Sequence, residues 1–347
     1  MFNGIDLYSD TVTRPSSGMR KAMMEAEVGD EQKGEDPTTL RLEEQVADLV
    51  GTSAALFFPS ATMANEVAIR LHCRPGDDVI AAEHSHVFFA EAGGPAVHAG
   101  VMAKPIITSS GVFDGEMIQH QYRSMKGPHY PVSRLVIVEN TTNMGGGEAW
   151  PSEKLQSVIQ TCRELNLAAH LDGSRIFNAS VSRGTSVREL ANGFNSVTLC
   201  LSKGLGCPAG AVLAFTRESY PEVRRLKQLM GGCLRQSGIL AAAGLYALEN
   251  NVERLVEDHQ NAKHLAHLLA SLPFLEVETR APSSNMVYFQ WKGKYCSAEA
   301  FLEKCTRQCV RFSLVGKNRF RAVTHLDISR EDCDTAVRIL EKVGDNN

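Results

Sequence analysis

Lys203 and Asp172 are the residues around which a chemistry can be built. Lys203 follows Ser196-Val197-Thr198-Leu199-Cys200-Leu201, an apolar run of strand length rich in β-favouring residues, and is followed at once by Gly204-Leu205-Gly206 and Cys207-Pro208-Ala209-Gly210. It is therefore expected on a loop held by a strand. Open α/β sheets bind ligands beside the carboxyl ends of their strands, and glycines let a flat ring come close to the backbone. An amine in that position is placed to form an imine with a carbonyl group, where the bland alternative is a solvated surface lysine. Asp172 ends a second buried-strand pattern, Leu167-Ala168-Ala169-His170-Leu171, and precedes Gly173-Ser174-Arg175. About one connecting helix separates the two ends.

A lysine for an aldehyde and an acid to keep a ring nitrogen protonated are the pair that a pyridoxal phosphate enzyme needs, because only the pyridinium is a strong electron sink. The stretches Leu171-Asp172-Gly173-Ser174-Arg175-Ile176-Phe177-Asn178 and Leu199-Cys200-Leu201-Ser202-Lys203-Gly204-Leu205-Gly206 resemble the aspartate and lysine motifs of the L-threonine aldolases, in the β-eliminating lyase group of fold-type-I pyridoxal phosphate enzymes. The resemblance runs from Leu7-Tyr8-Ser9-Asp10-Thr11-Val12-Thr13 to Arg321-Ala322-Val323-Thr324-His325. It implies a PLP-dependent aldehyde-lyase that holds pyridoxal 5'-phosphate as an imine at Lys203. Threonine, allo-threonine or a related β-hydroxy-α-amino acid would be cleaved reversibly to glycine and an aldehyde. β-Elimination or racemisation on the same cofactor, and a non-catalytic protein that keeps the fold, stay open at this stage.

Other motifs take roles from the same resemblance. Pro59-Ser60-Ala61-Thr62 joins a strand to a helix, and free amides at a helix start suit a phosphate, although the same pattern also reads as an ordinary helix cap. The resemblance gives the cofactor phosphate to Ser60, Ala61 and Thr62, with Ala61 where the family usually has glycine. It stacks His86 on the pyridine ring as a proton relay and leaves His84 structural. It assigns the substrate carboxylate to Arg175, Arg321 and Ser9, counts Arg175 among the cofactor contacts as well, and puts Thr142 among the substrate contacts; guanidinium forks suit a planar carboxylate better than ammonium groups do. Arg235 would reach the phosphate of a neighbouring subunit, implying a homo-oligomer with shared active sites, a dimer that pairs into a homotetramer. The family commonly has histidine near the substrate hydroxyl where Glu139-Asn140-Thr141-Thr142-Asn143 places Thr142. A hydroxyl does not accept a proton at neutral pH as imidazole does, so base catalysis is expected to fall to His86, the cofactor phosphate or a water. Tyr8 and Lys33 also stand where arginine and tyrosine are usual.

The elements that must position these residues follow from periodicity. Buried strands are expected over 54–58, 79–82, 135–138, 167–171, 196–201 and 211–215, with helical patterns between most of them, which argues for a mostly parallel sheet covered on both faces. Helices are expected over 17–27, from Thr38 or Thr39 onward, over 239–248, where the apolar surface runs almost all round as an interface would need, and over 252–270. A smaller α+β domain should follow, with strands over 286–291 and 320–324 and helices over 298–309 and 331–343. The division expected is a large cofactor-binding domain with an N-terminal arm, 1–250, and a small C-terminal domain, 251–347, since 347 residues exceed one core.

Composition narrows the class further. With 43% hydrophobic residues, 22% charged residues and a net charge of −4, the chain reads as globular and lacks the basic balance of a nucleic-acid or anionic-membrane binder. No run is apolar enough to cross a bilayer and no signal pattern opens the chain, so a cytoplasmic protein is expected. Nine cysteines scattered through apolar runs read as reduced thiols. Neither Cys305 with Cys309 nor His84 with His86 has the partners of a metal site, so no metal is expected.

Overall fold

The computed structural model describes residues 2–294 and 296–345. The N-terminal arm begins with β1 (Ile5–Asp6), turns through a short 3-10 helix at Asp10–Val12, and enters α1 (Ser17–Met24) and α2 (Pro37–Val50). Ser16 and Asp36 start these two helices by accepting the Met19 and Thr39 amides, and Gly51 ends α2 in the left-handed region at φ 84°.

The large sheet is built from β2 (Ala54–Phe58), β3 (Asp78–Ala82), β4 (Met102–Ile106), β5 (Ser133–Glu139), β6 (Ala168–Gly173), β7 (Ser196–Cys200) and β8 (Ala211–Phe215), in the order β2-β8-β7-β6-β5-β3-β4. Only β8 runs against its neighbours; β3 to β7 pair in parallel. Between the strands lie α3 (Ala61–His72), α4 (His86–Phe89), α5 (Gly115–Gln121), α6 (Ser152–Glu164), α7 (Ile176–Arg183) and α8 (Val187–Ala191). Every residue of β2, β3, β7 and β8 is buried, which explains why these strands read as continuous apolar runs. The fold class is thus the one the sequence implies. β4 was not expected: it is the edge strand, largely exposed, and it carries Lys104 and Pro105.

Past β8 come α9 (Tyr220–Leu229), α10 (Gly238–Asn250) and α11 (Leu255–Leu269). α10 packs against α1 and α2, so most of its apolar circumference is spent inside this chain, while Ile239 remains 46% exposed. The C-terminal part holds β9 (Leu275–Val277), β10 (Met286–Trp291), α12 (Ala298–Arg307), β11 (Val310–Arg311), β12 (Ser313–Leu314), β13 (Arg319–Val323) and α13 (Arg330–Asp345). Four of its strands form an antiparallel sheet, β12-β13-β10-β9, around an aromatic core in which Trp291 stacks on Phe301 at 4.2 Å. β1 pairs in parallel with β11, and Leu7 is buried in this second core. The first residues of the chain therefore tie the arm to the last third of it.

Candidate active site

Strand register puts the chemistry in one row. Glu139 on β5 lies opposite Asp172 on β6, which lies opposite Thr198 on β7, so the three side chains share one face near the carboxyl ends of the strands. Asp172 is 1% exposed. Its Oδ1 accepts the Ser174 amide at 3.1 Å and its Oδ2 accepts Asn65 Nδ2 at 3.0 Å. Burial works against the charge, but Lys203 and His86 outweigh it and hold the carboxyl below its ordinary range. Asp172 is an anion kept for a cationic or N–H partner.

Lys203 follows β7 on a loop pinned by its own carbonyl, which accepts Thr13 Oγ1 at 2.8 Å and the Gly206 amide at 2.9 Å. Gly206 sits at φ +78°, where a side chain would be strained. The ammonium has no hydrogen bond or ion pair among the described residues, yet it acts electrostatically on Asp10, Asp172, Glu139 and His86. Four titratable groups therefore converge on one amine.

His86 opens α4, and its Nδ1 meets Glu91 Oε1 at 2.7 Å. Burial would lower its pKa; Glu91 and Asp172 raise it above the usual imidazole value. With Nδ1 donating to a carboxylate, Nε2 is the nitrogen left for a ligand. Asn65 on α3 ties the group together: Nδ2 reaches both Glu91 Oε1 and Asp172 Oδ2 at 3.0 Å, and Oδ1 meets His170 Nε2 at 3.2 Å. His86, Glu91 and Asp172 also present ligand atoms within 4.8 Å of one another, the one such group among the described residues. Those atoms are already engaged in these hydrogen bonds, so the cluster belongs to this site.

The two arginines are held differently. Asp10 grips Arg175 through Nε at 2.7 Å and Nη2 at 2.6 Å, with Asn285 Nδ2 on the same carboxylate at 3.2 Å. Although burial opposes it, Arg175 holds the Asp10 carboxyl far below its ordinary range. One nitrogen of Arg175, Nη1, is left over. Arg321 on β13 donates from Nη1 to Asn143 Oδ1 at 2.6 Å, while its Nε is buried with no acceptor among the described residues. Ser9 is 5% exposed and its Oγ accepts the Thr11 amide, so that hydroxyl serves the turn of the arm.

Ser60 caps α3 by accepting the Met63 amide at 3.2 Å, and the first-turn amides of Ala61 and Thr62 have no carbonyl four residues back within the helix. Thr142 is 1% exposed, and its hydroxyl oxygen accepts the Glu148 amide at 3.0 Å. Its neighbour Asn143 is what reaches Arg321. Arg235 lies apart, on the surface and 3.2 Å from Asp30; Lys33 is exposed, and Tyr8 is 47% exposed. Lys203, Asp172 and His86 are therefore brought together, with Arg175 joined to Lys203 through Asp10. Asp10, Asn65, Glu91, Glu139 and Asn143 were assigned no role from the sequence, although Asp10, Glu139 and Asn143 lie within its motifs. Of these, Glu139 is pushed up to about 7 by burial and by Asp172.

These residues fit pyridoxal phosphate. A buried anion faces an unpaired amine, a half-buried imidazole stands beside them, a helix start offers amides, and an orphaned guanidinium N–H awaits an anion.

The beta-eliminating lyase family model matches residues 6–292. A low specificity L-threonine aldolase of Escherichia coli O157:H7 is 41% identical over 330 residues, covering 94% of this chain and 95% of its own. A probable low-specificity L-threonine aldolase 2 of Arabidopsis thaliana is 37% identical, covering 98% and 97%. Among solved structures, the threonine aldolase of Leishmania major superposes with a TM-score of 0.83 at 18% identity, covering 98% of this chain and 99% of that one. A serine palmitoyltransferase of S. paucimobilis with bound PLP and myriocin superposes at 0.77 with 16% identity, covering 99% and 88%. The two likenesses establish the fold, that of the fold-type-I pyridoxal phosphate enzymes. By the family match and by relatives that align along almost its whole length, the chain belongs to the beta-eliminating lyase family, in its group of low-specificity L-threonine aldolases.

Proposed function

We propose that the protein is a pyridoxal phosphate-dependent aldehyde-lyase that cleaves L-threonine, L-allo-threonine and related β-hydroxy-α-amino acids to glycine and an aldehyde. The observation that carries this reading is the unpaired Lys203 ammonium, on the loop after β7, acting on the buried Asp172 carboxylate of β6. When bound, the cofactor supplies a protonated ring into which the electrons of a bond at the substrate Cα can flow. Lys203 would hold the cofactor through its amine. Asp172, kept ionised, would hold the ring nitrogen protonated, and Asn65 keeps that carboxylate in place. The first-turn amides of Ala61 and Thr62 would hold the phosphate.

Arg321 and the free nitrogen of Arg175, with Ser9 beside them, would grip the substrate carboxylate and so set how the substrate is oriented about Cα. Aldol cleavage breaks the Cα–Cβ bond, and it needs the β-hydroxyl proton removed. His86 is suited to take that proton at Nε2, because Glu91 fixes its Nδ1 and favours the charged ring. Thr142 has no such capacity, because a hydroxyl is far less basic than imidazole, and its oxygen accepts the Glu148 amide. Arg235 contributes to the phosphate site of a neighbouring subunit in a homo-oligomer. No helix among the described residues is long and apolar enough to cross a membrane.

One experiment tests both parts. The protein is incubated with threonine, allo-threonine, phenylserine and serine, and aldehyde, 2-oxo acids and ammonia are assayed; Lys203→Ala and Arg235→Ala proteins are run separately and co-assembled. Aldehyde and glycine are expected from the first three substrates, with activity partly restored on co-assembly. A 2-oxo acid (2-oxobutyrate from threonine or allo-threonine, phenylpyruvate from phenylserine, pyruvate from serine) and ammonia as the main products would replace the aldolase reading by β-elimination. Failure of the mixture to recover would remove Arg235 from the shared site.

A further inference from the structure

Glu66 is a buried acid that the reaction leaves unused. It follows Asn65 on α3, is 2% exposed, and neither of its carboxyl oxygens has a hydrogen-bond partner among the described residues. Glu91 Oε2 is in the same condition, while Glu91 Oε1 accepts from Asn65 and meets His86. The two carboxyls lie against each other. Gly94 permits this: a Cβ there would come within 2.2 Å of Glu66 Oε1, and the Gly94 amide donates to the Glu91 carbonyl at 2.7 Å. Two bare carboxylates offer only acceptors, and two adjacent buried anions repel each other in a medium that screens poorly. A single proton removes one charge and supplies the missing donor.

We propose that Glu66 and Glu91 hold one proton between them, and that this shared proton sets how strongly Glu91 draws on His86 and so how readily His86 takes a proton from substrate. The inference rests on the reading of His86 as proton acceptor. Glu66 is a positioning residue that acts through Glu91. Burial first, and Glu91 second, push the Glu66 carboxyl up to about 9, which keeps the proton on the pair through neutral pH. Asn65 from α3 and His86 from α4 touch Glu91; around them stand Asp172 and His170 from β6, both bonded to Asn65, and Lys203 from the loop after β7, which acts on His86. Of these, Asp172 adds to the pull of Glu91 on His86 and Lys203 opposes it.

The test combines infrared spectroscopy with the pH profile of kcat/KM on threonine, for wild type, Glu66→Gln and Glu66→Leu. Spectra are taken with and without pyridoxal phosphate at about pH 8, above the value of about 7 to which Glu43 and Glu139 are pushed. The wild-type minus Glu66→Gln difference is expected to contain a protonated carboxyl band. The acid limb of the profile should stay in place in Glu66→Gln, which keeps a neutral donor, and move up by about one pH unit in Glu66→Leu, which leaves the Glu91 charge undiluted. A difference spectrum without that band overturns the shared proton. A band with an unmoved acid limb in Glu66→Leu overturns its link to His86. Because the band is read without cofactor, these failures are distinct from failure of the aldolase reading, which would appear as absence of aldehyde in the wild type.

Discussion

Asp10 shows how much of the site depends on side chains that touch neither cofactor nor substrate. Its carboxylate neutralises a buried guanidinium, and Arg175 in turn leaves a single nitrogen to face a ligand. Removing one partner of a buried pair costs far more than the pair contributes, because the survivor is left charged and unsolvated. Asp10→Asn is expected to lower stability by about 3 kcal/mol or more at neutral pH, measured by urea denaturation. The sign with pH follows from the depressed carboxyl in the folded state. The stabilisation is complete above the unfolded value of about 3.9 and is lost as pH falls through the folded value, so the gap between wild type and variant should narrow below about pH 4. A gap that widens on acidification would contradict the pairing. Lys203 and Asp172 were legible because each ends an apolar run with a polar residue followed by glycine. Asn65, Glu66 and Glu91 were not, because a polar residue inside a helix or loop looks like surface until its burial is known.

At the scale of elements, agreement between periodicity and structure tracks burial on both faces. β2 and β8 lie where their apolar runs place them, and β10 matches its run over 286–291. β4 escaped because an edge strand with exposed Met102 and Pro105 carries neither alternation nor an apolar run. β1 escaped because two residues become a strand only through pairing with β11, some three hundred positions away. α1 ends at Met24 rather than near residue 27, where the chain leaves the helix at Glu25. The contact between α2 and β2 carries its own prediction. Glu43 on α2 accepts the Phe57 amide of β2 at 2.9 Å, and burial, against the pull of that hydrogen bond, pushes its carboxyl up to about 7. The folded chain then holds a proton that the unfolded chain has released, so this site loses stability as pH rises from about 4.3 through about 7. Glu43→Gln keeps the acceptor and removes the titration. It should become more stable than wild type by up to about 3 kcal/mol near pH 8, and less distinct near pH 5, in urea denaturation. Equal stabilities at the two pH values would place the charge elsewhere.

Across the whole molecule, the site exists only because distant segments meet. The arm brings Asp10 and Thr13, α3 brings Asn65, three central strands bring Glu139, Asp172 and the lysine loop, and the C-terminal sheet brings Arg321. The arm connects the two cores through β1 and Leu7 while its Thr13 pins the backbone of Lys203, so arm and lysine loop are positioned together. What the residues alone could not supply was this convergence; what they did supply was the pair of groups that needed to converge. The most direct measurement of it is borohydride reduction of the cofactor-loaded protein, followed by mass spectrometry of its peptides, in wild type and Asp172→Asn. Loss of a visible imine absorption, with the pyridoxyl mass found on Lys203 and a shifted absorption in Asp172→Asn, is the expected result. A pyridoxyl group on any other lysine, or a spectrum indifferent to Asp172, would contradict the account.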